Sequence, residues 1–153
     1  MELHEGIRSE VGRILGIDPG EKRIGLALSD PLGITAQGLE TLQVTSPGDA
    51  VQQISEIARQ VEVSKIIIGL PLNMDGSKGE QARRAQRLGA RLEAALHLPV
   101  LFRDERLTSR QAEQVLIEAN LSRRRRREKI DRMAAQLILQ NYLDASESTK
   151  NNI

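Results

Sequence analysis

The segment Lys65 to Leu70, K-I-I-I-G-L, constrains the fold most. A strand with one face in water alternates apolar and polar residues, whereas an unbroken apolar run reads as a strand covered on both faces. Such a strand needs helices on either side of the sheet, and the chain supplies them. Val51, Ile54, Ile57, Ala58 and Val61 recur at helical spacing before it, from about Asp49 to Val61. Ala82, Ala85, Leu88, Leu92 and Leu96 do so after it. A third helix is predicted from Thr108, with Gln111 at capping-box spacing. A last one carries Ile130, Met133, Ala134, Leu137 and Ile138.

Four more extended segments complete the pattern. Arg13 to Asp18 stops at Pro19-Gly20, Lys22 to Ser29 stops at Asp30-Pro31, and Ile34 to Leu42 is a weaker third strand. The connections among these three are too short for helices, so they form an antiparallel meander. Pro99 to Arg103 is the fifth strand. The fold class is therefore α/β, a five-stranded mixed sheet with helices on both faces. The first, fourth and fifth strands are expected parallel and central, with the meander at one edge. At 153 residues the chain makes one domain, over 13–144, with 1–12 and 145–153 as flexible termini.

Composition removes several function classes. One Phe, one Tyr and no Trp cannot build the ring-lined face on which RNA-recognition motifs and OB folds stack bases. Without cysteine, thiolate metal sites and disulfides are excluded. His4 and His97 stand apart from any metal-ligand spacing or nucleophile, so imidazole-centred catalysis is not expected. No secretory leader or membrane-length apolar segment is visible, which points to a cytoplasmic protein.

In open α/β sheets, ligands sit beyond the carboxyl ends of the strands. Asp18 ends the first strand there, Asp104 and Glu105 end the fifth, and Asp131 lies on the last helix, which must cross the sheet. Spacing does not choose between Asp104 and Glu105. Two carboxylates about 4 Å apart repel by roughly 4 kcal/mol at an effective dielectric of about 20, so a cluster either holds protons or binds a cation. Oxygen ligands alone suit Mg²⁺ or Mn²⁺, ions that activate water and stabilise a leaving oxygen in phosphodiester hydrolysis.

Three further features suggest phosphate contact. Arg23 follows the sharp Pro19-Gly20 turn, and Gly25 lets another chain approach. A D-x-G turn also occurs in two-lobed sugar-kinase ATPases, but this chain has one lobe. The loop Gly69 to Gly79 follows the buried strand and offers Asn73, Ser77 and Lys78 to phosphate or base edges. Leu121 to Lys129 holds Arg123, Arg124, Arg125, Arg126, Arg127 and Lys129 against Glu128, a local charge of +5 in a chain whose total is +1. This run, just before Asp131, suits a nucleic-acid backbone entering the carboxylate cluster.

Four segments together resemble the YqgF family of pre-16S rRNA nucleases, also described as Holliday-junction-resolvase-like. They are Ile17 to Ala27 (I-D-P-G-E-K-R-I-G-L-A), Ile67 to Ser77 (I-I-G-L-P-L-N-M-D-G-S), Asp104 to Ser109 (D-E-R-L-T-S) and Lys129 to Leu143. The resemblance implies an RNase H-like fold and, by position, Asp18, Glu105 and Asp131 as catalytic and metal-binding carboxylates. It favours Glu105 over Asp104. It also implies a divalent-metal endonuclease acting on RNA at the 5′ end of precursor 16S rRNA, in association with the ribosome. Two alternatives stand beside this: a resolvase of four-way DNA junctions, and a non-catalytic RNA-binding or transcription-associated factor. The expected state is a monomer or weak homodimer.

Overall fold

Residues 12–106, 114, 117–118 and 122–151 are described by the computed structural model, without the side chains of 123, 124, 126–129, 131 and 147–151. The first two strands, β1 (Arg13–Asp18) and β2 (Arg23–Ser29), form an antiparallel hairpin that pairs Asp18 with Gly25. Its turn needs glycine: a Cβ on Gly20 would lie 2.0 Å from the Arg23 carbonyl oxygen.

The predicted third strand divides into β3 (Ala36–Gly38) and β4 (Leu42–Gln43), both antiparallel to β2. Between the pairs Ala27↔Gly38 and Ile24↔Leu42, the outer strand holds one residue more than β2, a bulge that splits the ladder. The strand also starts later than Ile34. Asp30 Oδ1 accepts from the backbone N–H groups of Ile34 (2.7 Å) and Thr35 (2.9 Å), which keeps both in a turn.

Helix α1 (Pro47–Gln60) begins two residues earlier than the apolar period suggests, because Ser46 caps it by accepting from Asp49 N–H at 3.1 Å. It leads into β5 (Val63–Leu70), α2 (Glu80–Leu96) and β6 (Val100–Asp104). The sheet order is β3-β2-β1-β5-β6, with β4 also on β2. Strands β1, β5 and β6 are mutually parallel as expected, but β6 forms an edge of the described sheet where a central position was expected.

Ile66, Ile67 and Ile68 of β5 are fully buried, each stabilising the fold by about 2 kcal/mol. Ile66 and Ile68 join Leu15, Ile17, Ile24 and Leu26 under α1 and α2. Ile67 and Ala27 face the other way, onto α3 (Arg123–Asn151) through Ala135, Ile138, Leu139 and Leu143. Helix α3 lies close because that face is nearly bare. A Cβ on Gly16 would sit 2.7 Å from Leu139 Cβ, and one on Gly69 would sit 2.6 Å from Ile138 Cδ1.

The arginine run forms the first turns of the last helix. Arginine is a good helix former, and the Arg125 N–H points to Ser122 Oγ at 3.4 Å, as at an N-cap. Helix α3 also continues beyond Ala145 to Asn151, into the tail expected to be flexible. The helix expected from Thr108 falls outside the described residues, apart from helical positions at 114, 117 and 118. Among the described residues, no helix is long and apolar enough to cross a membrane.

Candidate active site

The three parallel strands end together. Ile17, one residue before Asp18, pairs with Ile68, and Leu70 pairs with Asp104. The Glu105 N–H then donates to the Leu70 carbonyl at 3.2 Å, carrying the β6 ladder one residue further. Side chains of successive extended residues point to opposite sides, so Asp104 and Glu105 part here.

Asp104 turns to solvent, where Arg106 holds it. Arg106 Nε and Nη2 donate to Asp104 Oδ2 at 2.9 Å and 2.8 Å, and the Arg106 N–H donates to Oδ1 at 3.0 Å. These bonds hold the Asp104 carboxyl below its ordinary range. Glu105 turns inward and is 8% exposed. The space it fills exists because residue 69 has no side chain: a Cβ there would lie 2.6 Å from Glu105 Oε2.

Burial, then the charge of Asp18 and a side-chain hydrogen bond with it, push the Glu105 carboxyl up to about 9. A hydrogen bond between two carboxyl groups requires a shared proton. Glu105 Oε2 has no hydrogen-bond partner among the described residues, so an ionised Glu105 would leave a buried acceptor unsatisfied. Desolvation and a like charge thus disfavour the doubly ionised pair. A divalent cation removes the conflict as a proton does, and two carboxylates without histidine or cysteine match a hard ion such as Mg²⁺ or Mn²⁺. The residues present fit such an ion.

The structure therefore brings Asp18 and Glu105 together. Asp131 lies in α3 one turn before Ala135, but its side chain is outside the described residues. Among the described residues, no group of three or more acidic or histidine side chains forms a metal cluster. Arg23 stands two positions along β2 from Gly25, the partner of Asp18, and so on the same sheet face as Asp18.

The loop after β5 has its own framework. Asn73 N–H donates to the Ser77 carbonyl (2.9 Å), Asn73 Nδ2 to Ser77 Oγ (2.9 Å), and Ser77 Oγ to Asp75 Oδ1 (2.6 Å). Asn73 and Ser77 thus shape the loop with some of the groups expected to meet substrate, while Lys78 is exposed on it. Arg106 joins this loop to the end of β6, donating through Nη1 to the Met74 carbonyl at 3.1 Å. Sequence reasoning missed Arg106. Its signal was its place one residue after Glu105, where a long cation can reach both Asp104 and the neighbouring loop. Of the five arginines beginning α3, Arg125 is exposed and the side chains of Arg123, Arg124, Arg126 and Arg127 lie outside the described residues. His97 ends α2 in a left-handed conformation at φ 55°, before the start of β6, whereas Glu105 follows the other end of that strand.

Residues 12–145 match a family model described as "RuvX: Holliday junction resolvase". The chain is 56% identical over 134 residues to a protein of Pelotomaculum thermopropionicum named "Putative pre-16S rRNA nuclease", covering 87% of both chains. It is 47% identical over 135 residues to a Streptococcus uberis protein of the same name, covering 86% of this chain and 97% of that one. In three dimensions it is similar to Thermus thermophilus RuvC solved in complex with a Holliday junction substrate, at a TM-score of 0.57 and 15% identity, covering 90% of this chain and 97% of the other. That last likeness concerns the fold, which is of the RuvC type, an RNase H-like α/β architecture.

Proposed function

The chain belongs to the RuvX family, and from that premise we propose that it is a divalent-metal-dependent endonuclease that hydrolyses phosphodiester bonds in RNA, processing the 5′ end of precursor 16S rRNA. The observation that carries this reading is the buried, unsatisfied Glu105 Oε2 beside Asp18 at the carboxyl edge of the parallel strands. The names of the relatives at 56% and 47% identity support the choice of substrate.

Asp18 and Glu105 would hold the cation, with Asp131 as the third carboxylate. The bound ion would supply Lewis acidity for activating water and stabilising the leaving oxygen. The protein's own groups do the rest. Without a counterion, the acidic pair repels a phosphodiester. Arg23, on the same face as Asp18, offsets that repulsion and orients a non-bridging phosphate oxygen. The loop around Asn73, Ser77 and Lys78, braced by Arg106, forms one wall for the strand. The arginines that open α3, Arg123 to Arg127, add a sequence-independent hold on the backbone.

A second reading, cleavage of four-way DNA junctions, is favoured by the description of the matched family model. It calls for a symmetric dimer presenting two sites. One experiment separates the readings: the protein with Mg²⁺ or Mn²⁺ is offered a precursor rRNA fragment and a DNA junction in parallel, with Asp18→Asn as control. We expect the RNA to be cut and Asp18→Asn to lower the rate by more than about 100-fold, since metal-assisted charge stabilisation is worth several kcal/mol. Cleavage of the junction alone would replace the first reading with the second. An Asp18→Asn protein as fast as wild type would end both.

A further inference from the structure

On the side of the sheet opposite α3, helix α2 presents Arg84, Arg87 and Arg91 at i, i+3 and i+7, a single stripe. The stripe borders a cavity of about 520 Å³ that also meets Gly20 of the hairpin turn and Ser46 at the start of α1. Small-ligand sites commonly measure about 300–1,000 Å³. The floor is apolar, made by the core residues Ile24, Val44 and Leu88. The wall is cationic and only partly neutralised. Arg87 is paired with Glu80 at 2.9 Å, but Arg84 reaches Glu21 only at 3.9 Å. Arg91 has no ion pair or hydrogen bond among the described residues, and its Nη2 lies 3.7 Å from where a Cβ on Gly48 would stand. The nearby acid Asp49 is engaged by the N–H of Thr45 at 2.9 Å.

An apolar floor beneath guanidinium groups matches a nucleotide, whose base and sugar bury apolar surface while the phosphate takes charged donors. The cavity is also lined by Pro19 and Gly20, which directly follow Asp18, so it borders the end of the sheet that carries the acidic pair. The arginine stripe runs about 10 Å along the helix, longer than one phosphate can span, which favours a strand over a free mononucleotide.

We propose that this arginine-lined cavity between α1 and α2 is a subsite for a nucleotide of the substrate strand outside the scissile bond, with Arg84 and Arg91 holding the successive phosphates that flank it. The assignment rests on the nucleic-acid reading given above. The test is binding of a labelled single-stranded RNA oligonucleotide, followed by fluorescence anisotropy in EDTA so that no cleavage occurs. Arg84→Ala/Arg91→Ala should weaken binding about tenfold and reduce the salt slope by about 1.4, two contacts at about 0.7 each. Arg59→Ala, on exposed α1 surface outside the cavity, should leave binding near wild type. Should the double variant not fold, Arg91→Gln alone provides the same readout.

Equal affinity of the variant and wild type, or no binding by wild type, would overturn the subsite. AMP that competed as well as unlabelled oligonucleotide would overturn the strand assignment in favour of a free mononucleotide. Because binding is measured without turnover, an inactive protein that kept this arginine dependence would remove the nuclease reading and leave the subsite. An active nuclease without the dependence would do the reverse.

Discussion

Replacing Glu105 by glutamine should make the metal-free protein more stable while disabling its site. Glu105 is held at about 9 in the native protein against an ordinary value of 4.5, chiefly by burial and then by Asp18. Between these values the folded chain keeps a proton that the unfolded chain releases. The native state therefore binds more protons, and stability falls as pH rises through that window, by about 1.4 kcal/mol per unit. At about pH 7.5 the loss reaches roughly 4 kcal/mol if Glu105 carries the whole shift, and about 2 kcal/mol if Asp18 shares the proton. Glutamine has no such proton to lose, and its amide can donate to the Asp18 carboxylate. Urea denaturation in EDTA should show Glu105→Gln more stable by about 2–4 kcal/mol at pH 7.5, the two proteins converging near pH 4.5. Mg²⁺ should restore part of the deficit in wild type and much less in the variant. A variant no more stable than wild type at pH 7.5, or with the same pH slope, would refute the assignment of strain to this pair.

Two further substitutions test the supports of the site. Gly16→Ala places a Cβ 2.7 Å from Leu139 Cβ and 3.3 Å from the Ala135 carbonyl, so α3 must lift; thermal or chemical denaturation should show a loss of about 1–3 kcal/mol, and unchanged stability would mean the helix has slack. Arg106→Ala removes the bonds to Asp104 and Met74, so amide exchange in residues 73–77 should accelerate and KM rise about fivefold with kcat nearly constant; exchange as slow as wild type would show that the loop's internal hydrogen bonds suffice.

Much of this arrangement was legible in residue order, for identifiable reasons. The unbroken run Ile66 to Ile68 announced a strand buried on both faces, and it is. Asp18 at the end of an apolar segment announced a carboxylate at the carboxyl edge of the sheet, and β1 ends there. What escaped depended on side chains acting outside the apolar period. The carboxylate of Asp30 draws Ile34 and Thr35 into a turn, and an extra residue after Gly38 divides β3 from β4. The arginines at the start of α3 have no apolar stripe, so helical periodicity could not register them, although Ser122 and the helix propensity of arginine favour that start. The inward turn of Glu105 hangs on strand parity and on the missing side chain of Gly69, neither of which spacing reveals.

The same bare surface explains both the seating of α3 and the unusual state of Glu105. Because Gly16 and Gly69 carry no side chains, Leu139 and Ile138 reach the sheet, and the Glu105 carboxyl is sealed between the strand ends and the helix. A bulkier residue at 69 would push Glu105 toward water, lowering its affinity for a proton and, by the same desolvation argument, its demand for a cation. The site's appetite for positive charge is thus a consequence of packing density as much as of acidic residues. Asp104 makes the contrast one residue away: it too carries a carboxyl group, but it lies exposed and already paired with Arg106, so it has no comparable need for a metal.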